Sequence, residues 1–139
     1  MSYIVFARKY RPQGFDVLAV DAFSGDSPPV HLLTKEAVEL YMKHLKPDGI
    51  LALHVSNRYL SLNQVALRVA DALGIPSVLI DSKWSHEGAW RASWVLLTRN
   101  QEFLDQPQIV DAAAEKEERY KSLRVWTDDY SNLIEVLGK

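Results

Sequence analysis

The apolar residues of this chain occur in short runs, and the spacing inside each run predicts the element that it forms. Residues 16–20 (DVLAV) and 50–55 (ILALHV) are typical of strands buried on both faces of a parallel sheet. Between them, Thr34 can cap a helix that has Glu36 in its first turn. The apolar positions of this helix are Ala37, Val38, Tyr41 and Leu45. The sequence PDG at 47–49 ends the helix, so the segment predicts a right-handed β-α-β unit.

The second half of the chain begins with another helix pattern. Ser61, with Gln64 three residues later, forms a capping-box pattern. The helical apolar face that follows consists of Leu62, Val65, Ala66, Val69 and Leu73, and the sequence GIP at 74–76 closes it. Residues 77–80 (SVLI) and 93–98 (SWVLLT) then predict two more strands. The loop between them suits either a hairpin or a lid.

Three further segments have weaker patterns. Pro107 can occupy the first turn of a helix that runs through the alanines at 112–114 to the charged sequence EKEERYK, which we expect to be solvated. Residues 3–7 (YIVFA) are β-prone, so residues 1–13 are expected to form a strand or arm whose placement stays open. The tail at 125–137 (VWTDDYSNLIEVL) predicts a short amphipathic helix. Asp128 and Asp129 are interpreted as helix-capping residues rather than metal ligands.

Composition places the chain among ordinary globular proteins. Its 139 residues, 47% hydrophobic and 24% charged, predict a single domain over 1–139. The formal net charge of -2 provides no basic field, so nucleic acid is not an expected partner. No apolar run approaches the length of a bilayer span, and the start MSYIVFARKYR lacks the order of a secretory signal. We therefore expect a cytoplasmic protein with no membrane association.

Two kinds of site have no sequence signature here. The chain has no cysteine and its four histidines are not spaced as a ligand set, so no metal site is expected. Doubly wound nucleotide-binding domains usually carry a glycine-rich turn after their first strand, because only glycine lets the backbone approach the ligand so closely. No such turn and no P-loop occurs. The order of elements predicts the second half of an α/β fold without its first half.

The most suggestive residue for chemistry is Asp21, which directly follows the strand predicted at 16–20. Open α/β sheets bind ligands in the crevice at the carboxyl ends of their strands. A carboxylate placed there is a candidate functional group. The competing interpretation is that Asp21 caps or turns the chain at the end of the strand.

The segment DVLAVDAFSGDSPPVHLLTKEAVELYMKHLKPDGILALHVSN resembles the spermidine synthase-like proteins, a branch of the class I S-adenosylmethionine-dependent methyltransferase fold. The tail WTDDYSNL resembles the closing segment of the same branch. The similarity runs from about Gly14 onward and corresponds to the carboxyl half of the family's domain. It implies a partial Rossmann-like, mostly parallel sheet of about four or five strands flanked by helices.

The resemblance also implies roles for particular residues. In aminopropyltransferases the matching strand ends in an acidic loop whose first carboxylate handles the substrate amine, and Asp21 stands at that position. The family's second carboxylate falls at Ser24, with Asp26 two residues later, a departure that bears on polyamine specificity. His54 replaces a glutamine often found in the following strand, and Trp84 corresponds to an aromatic residue of the substrate loop. No residue corresponds to the donor-binding glycine turn or the acid that holds the ribose.

Each of these residues also has a structural interpretation. Asp26 is better explained by an Asx turn before Ser27, and His54 by a hydrogen-bonded core histidine. Asn57, at the exit of the second strand, suits either a ligand or the turn into the next helix. Trp84 is more typical of a core or interface aromatic than of a cation-binding wall.

The resemblance predicts a spermidine synthase-like aminopropyl- or methyltransferase-fold protein that is inactive alone, because the donor-binding half is missing. Asp21 is the predicted catalytic residue; Ser24, Asp26, His54, Asn57 and Trp84 are the predicted substrate-binding residues. We expect no cofactor to bind this chain alone; the family's donor is S-adenosylmethionine or its decarboxylated form. The alternative is a non-catalytic remnant that serves as a binding or oligomerisation module.

The predicted partners are a small-molecule amine and further copies of the chain. An amine suits the carboxylates of the acidic loop. Loss of the preceding strands would expose the edge of the strand at 16–20, and an exposed edge invites pairing with another chain. We therefore expect a homodimer or larger homo-oligomer, and residues 3–7 are an alternative cover for that edge.

Overall fold

The computed structural model describes residues 14–20, 32–55, 61–82, 92–116 and 118–131. Its elements are β1 (Phe15–Val20), α1 (Lys35–Lys43), β2 (Leu45–His54), α2 (Leu62–Ala72), β3 (Ser77–Ser82), β4 (Ala92–Thr98), α3 (Gln101–Leu104), α4 (Pro107–Ala112) and a 3-10 helix (Glu118–Ser122). The strand predicted at 3–7 lies outside the described residues. Of the segment at 125–137 that was predicted to form a helix, only residues 125–131 are described.

The four strands form one mixed sheet in the order β1-β2-β4-β3. β1 runs parallel to β2, and β4 runs antiparallel to both β2 and β3. β1, β2 and β3 therefore share one direction, and β4 is the only described strand that opposes them. This arrangement confirms the predicted α/β class with a mostly parallel, partial Rossmann-like sheet. It also shows that β3 and β4 form a hairpin.

Helix α1 begins as predicted but ends earlier. The hydroxyl oxygen of Thr34 accepts a hydrogen bond from the backbone N–H of Ala37 at 3.1 Å, which satisfies one unpaired donor of the first turn. The helix ends at Lys43, so placing Leu45 on its apolar face was wrong: Leu45 is the buried first residue of β2. The strand reaches back this far because Leu45 pairs with Phe15.

The residues between Leu45 and Ile50 form an irregular insertion in β2. Phe15 pairs with Leu45, whereas Val17 pairs with Ile50, so β2 carries extra residues opposite a short piece of β1. Gly49 allows this close approach, since a Cβ built there would lie 3.0 Å from the carbonyl oxygens of both Phe15 and Lys46. The PDG sequence therefore interrupts a strand rather than separating a helix from one.

The main core lies between one face of the sheet and helices α1 and α2. The strand residues that face it are Leu18, Val20, Leu51, Leu53, Leu79, Val95 and Leu97. Tyr41 of α1 is fully buried there, and its hydroxyl donates to the carbonyl of Leu32 at 3.1 Å. Burying this phenol without a partner would be costly, so the hydrogen bond orients the segment that leads into α1.

Helix α2 has the predicted buried face and the predicted end at Gly74, whose φ of 67° suits glycine. The capping box was wrong: Ser61 holds the N-cap position, but its side chain makes no cap hydrogen bond. Instead the backbone N–H of Gln64 donates to the Ser61 carbonyl at 3.1 Å. α3 was not predicted, although Asn100 caps it by accepting from the Phe103 N–H at 3.0 Å.

The helix predicted from Pro107 through 112–114 ends at Ala112. Ala113 forms a bridge to Ile80, and the N–H of Ala114 donates to the Leu79 carbonyl at 2.7 Å. The N–H of Ala113 still donates to the carbonyl of Ile109 at 3.0 Å, so the bonds to β3 replace the predicted helical bonds from Ala114 onward. The segment EKEERYK is correspondingly not a uniformly solvated helix, because Tyr120 is buried.

The tail folds back onto the start of α1. The N–H of Lys35 donates to the carbonyl of Trp126 at 2.7 Å, and the Thr34 hydroxyl donates to the Asp128 carboxylate at 3.0 Å. Trp126 is 2% exposed and belongs to the main core. Asp128 thus supports the start of α1, which lies far away in sequence. No helix among the described residues is long and apolar enough to cross a membrane.

Candidate functional site

The carboxyl ends of β1, β2 and β3 lie at the same edge of the sheet, because these strands share one direction. β4, which runs the other way, begins at this edge. Open α/β sheets bind their ligands at such an edge. Four polar or aromatic side chains from the described strands lie there, and they are His54, Asp81, Ser93 and Trp94.

His54 and Trp94 form the first pair at this edge. They are directly opposite one another on β2 and β4, and their ring centroids lie 4.7 Å apart with planes inclined by 34°. Both side chains are half-buried. Ile80 of β3 lies opposite Trp94 and extends the row on the same face. The pair therefore presents an aromatic surface with a polar imidazole at the end of the sheet.

Asp81 and Ser93 form a second pair on the other face of the same edge. They lie opposite each other on β3 and β4, and the Ser93 hydroxyl donates to the Asp81 carboxylate at 3.1 Å. The carboxylate is half-buried and its orientation is set by this bond. Asp81 was not predicted as a site residue, although it follows the apolar run SVLI just as Asp21 follows DVLAV.

Residues 21–31, which include Asp21, Ser24 and Asp26, follow and precede anchored parts of the described structure. Val20 is buried where β1 ends, and Leu32 and Leu33 are buried just before α1. The next residue, Thr34, is held by the Asp128 carboxylate and by the N–H of Ala37. These contacts fix the described residues on either side of positions 21–31.

The structure describes only one of the predicted site residues, His54. Asp21, Ser24 and Asp26 lie outside the described residues, and so do Asn57 and Trp84. Their chain neighbours nevertheless end at the carboxyl edge: Asp21 directly follows β1, and Asn57 and Trp84 follow the ends of β2 and β3 by three and two residues. Only the chain positions of these residues relative to the strand ends are known, and their roles stay predictions.

The described residues offer no metal site at this edge. They contain no cluster of three or more histidine, aspartate or glutamate side chains able to hold a metal ion. Two open grooves lie elsewhere: one of about 490 Å³ beside α3 and α4, and one of about 400 Å³ between α1 and the end of α2. The edge itself carries the imidazole of His54 and the indole of Trp94 on one face of the sheet and the carboxylate of Asp81 on the other.

Comparison with known proteins supports the fold. No protein-family profile and no curated protein matches the sequence. Among solved structures, the chain is similar to spermidine synthase from Thermotoga maritima, with 17% identity and a TM-score of 0.53 over 90% of this chain and 41% of that one. It is likewise similar to a spermidine synthase in complex with the transition-state analogue AdoDATO, with 16% identity and a TM-score of 0.52 over 90% and 40%.

The chain thus spans about two fifths of the length of the solved structures it matches. At this level of identity the likeness establishes the fold alone. This chain has a spermidine synthase-like fold, in the form of a partial Rossmann-like methyltransferase sheet, as the sequence predicted.

Proposed function

We propose that this chain is the acceptor-binding part of a spermidine synthase-like transferase and that the carboxyl edge of its sheet receives an aliphatic amine. The observation that carries the proposal is the convergence of β1, β2 and β3 at one edge, where the His54–Trp94 pair lies. Asp21 follows directly from β1 at that edge. The spermidine synthase-like fold supports the proposal.

The chemistry requires a group that binds a cationic amine and removes its proton. In aminopropyl transfer, the amine nitrogen attacks a carbon attached to a sulfonium sulfur, the carbon–sulfur bond breaks, and a neutral thioether leaves. The amine must lose a proton to become the nucleophile, and a carboxylate can both bind the cation and accept that proton. We assign this role to Asp21. Ser24 and Asp26 would supply further polar contacts from the same loop.

His54 and Trp94 would form the wall against which the aliphatic part of the amine lies. The indole face attracts a cation within about 6 Å by its quadrupole, and the imidazole adds a polar contact. Asn57 and Trp84 are proposed as further contacts because they follow the strands that end here. Trp94 is thus an addition to the residues that the sequence suggested.

The donor is expected to bind elsewhere. In doubly wound folds the donor lies on a glycine-rich turn at the start of the sheet, and the sequence contains no such turn. We therefore propose that this chain alone does not bind S-adenosylmethionine or its decarboxylated form tightly. We also propose a cytoplasmic location, which matches the small-molecule chemistry.

Isothermal titration calorimetry tests the proposal with putrescine as the amine and with S-adenosylmethionine, its decarboxylated form and methylthioadenosine as donor-side probes. We expect putrescine to bind and the donor-side probes not to bind. Asp21→Asn and Trp94→Leu should each weaken putrescine binding about tenfold. The matched control is Asp48→Asn, because Asp48 is an exposed carboxylate in the insertion of β2. Equal losses in Asp21→Asn and Asp48→Asn would contradict the assignment.

A second candidate function is a non-catalytic binding or oligomerisation module. The exposure of β1, with Val17 57% exposed, favours it, because such a strand is normally covered. Absence of binding by every amine and donor probe, together with stable self-association, would favour this candidate over the transferase.

A further inference from the structure

The two faces of the sheet differ in chemistry at the carboxyl edge. The Asp81 carboxylate lies on the face that packs against α1 and α2, in step with the core residues of β3 and β4. It accepts a hydrogen bond there from the Ser93 hydroxyl at 3.1 Å. Side chains of a strand alternate between the two faces, so Ile80 and Trp94, the chain neighbours of this pair, lie on the opposite face together with His54. The His54–Trp94 pair and the Asp81 carboxylate are therefore on different faces.

The face that carries His54 and Trp94 is apolar over two successive rows of β2, β4 and β3. The rows consist of His54, Trp94 and Ile80 at the edge, followed by Ala52, Leu96 and Val78. Neighbouring strands lie about 4.8 Å apart, so each row spans roughly 10 Å. The side chains of the first row are half-buried. A ligand that lies along this row contacts an imidazole, an indole and an aliphatic side chain in turn.

This row favours a methyl group over a second ammonium at the far end of an amine. An ammonium that leaves water loses hydration free energy unless it gains a counterion or hydrogen bonds. Trp94 offers a cation–π attraction, but its ring is already in contact with the His54 imidazole, at 4.7 Å between centroids. Such an attraction is also smaller than the cost of desolvating an unpaired ammonium. A methyl group at the same place gains free energy by leaving water.

We propose that the preferred acceptor of this edge is a primary amine with an uncharged apolar tail, an alkylamine rather than a diamine. The inference rests on the proposed function and adds the class of substrate to it. The ammonium end binds the carboxylate that we assign to the amine, and the tail lies along His54, Trp94 and Ile80. Discrimination comes from the unfavourable burial of a second charge as much as from contact with the tail.

Isothermal titration calorimetry on the full chain tests this proposal with amines that differ only at the far end. The pairs are putrescine with pentylamine, and hexamethylenediamine with heptylamine, in which a methyl group replaces the second ammonium at equal length. We expect the monoamine of each pair to bind at least about tenfold more tightly. Ile80→Glu introduces a carboxylate into the row and should shift the preference toward the longer diamine. Ile80→Gln, which has the same length without the charge, is the matched control and should not shift it.

Asp81→Asn separates the two faces, since its carboxylate lies on the face away from His54 and Trp94. This variant should leave the preference unchanged. Wild-type affinity for a diamine that equals or exceeds that for its monoamine would overturn the inference and leave the proposed function standing. A loss of diamine binding alone in Asp81→Asn, or the same shift in Ile80→Gln as in Ile80→Glu, would do the same. Binding of neither kind of amine would overturn both, and the wild-type comparison decides even if an Ile80 variant fails to fold.

Discussion

Replacing Thr34 by valine tests whether the tail at 125–131 stabilises the start of α1. Thr34 is 2% exposed. Its hydroxyl accepts from the Ala37 N–H at 3.1 Å and donates to the Asp128 carboxylate at 3.0 Å. Valine keeps the side-chain shape but loses both bonds. Ala37 is also buried, so its N–H would have no solvent to replace the lost acceptor.

The magnitude follows from these two bonds. Loss of an N-cap oxygen costs about 1 kcal/mol. Loss of the bond to Asp128 adds about 1 kcal/mol. This is a low value for a hydrogen bond to a charged acceptor, because the Asp128 side chain is exposed. We therefore expect Thr34→Val to lower the free energy of unfolding by about 2 kcal/mol, measured by urea denaturation at neutral pH with circular dichroism.

Thr34→Ser is the matched control, since it keeps the hydroxyl and removes one buried methyl group, at a cost of about 1 kcal/mol. Asp128→Ala should cost about 1 kcal/mol in the wild type and less in the Thr34→Val background, because the bond between the two side chains is already lost. The reasoning is refuted if Thr34→Val matches the wild type, if serine is as harmful as valine, or if the two substitutions simply add.

Three further predictions concern other parts of the fold. Gly49→Ala should destabilise the chain by about 1–3 kcal/mol in urea unfolding, because the new Cβ would lie 3.0 Å from two backbone oxygens; an unchanged midpoint would contradict this. Trp126→Ala should cost about 3–5 kcal/mol, seen as a lower Tm, since the side chain is 2% exposed; a loss below about 1 kcal/mol would show that the tail is not part of the core. Burial lowers the pKa of Lys116, so the unfolded chain binds the lysine proton more tightly than the folded chain does. The free energy of unfolding of the wild type should therefore rise relative to that of Lys116→Met as the pH increases through the lowered pKa toward 10.5. Parallel stability–pH curves for the two proteins would refute this.

Elements whose signal is local were predicted well from the sequence. The parallel pairing of β1 and β2 followed from an apolar run, a helix and another apolar run, because a crossover of that length permits little else. The position of β4 between β2 and β3 was not predicted. A hairpin can fold to either side of its first strand, and the choice depends on burying Val95 and Leu97 of β4 in the core between its neighbours β2 and β3, which is a tertiary effect.

The errors at element ends have a common cause. Leu45 was assigned to a helix by its spacing but pairs with Phe15, and the alanines after Ala112 favour a helix but two of them hydrogen-bond or bridge to β3. In both cases a backbone partner distant in sequence outweighs a local preference worth well under about 1 kcal/mol per residue. The spacing of apolar residues along the chain carries no information about such distant backbone partners.

The candidate site was only partly predictable for a similar reason. Asp21 was identified because it follows an apolar run, yet Asp81 carries the same signal and was passed over as part of a loop. Its significance depends on Ser93, which donates to it across the β3–β4 pair. His54 was recognised by resemblance, whereas its partner Trp94 was not predicted as a site residue, because the register that brings the two rings to 4.7 Å is a tertiary feature.

The apolar composition of β1 predicts a buried strand, whereas most of its residues are exposed in the structure. A run such as DVLAV is typical of a strand with neighbours on both sides and cover on both faces. An edge strand in a stable monomer usually carries a charge, a proline or a bulge at its exposed positions. The sole charge of β1 is already paired with Lys46, and its register shift lies on the side of β2. Among the described residues neither device lies on the outer side of β1, so its apolar composition is that of a strand with a neighbour on that side.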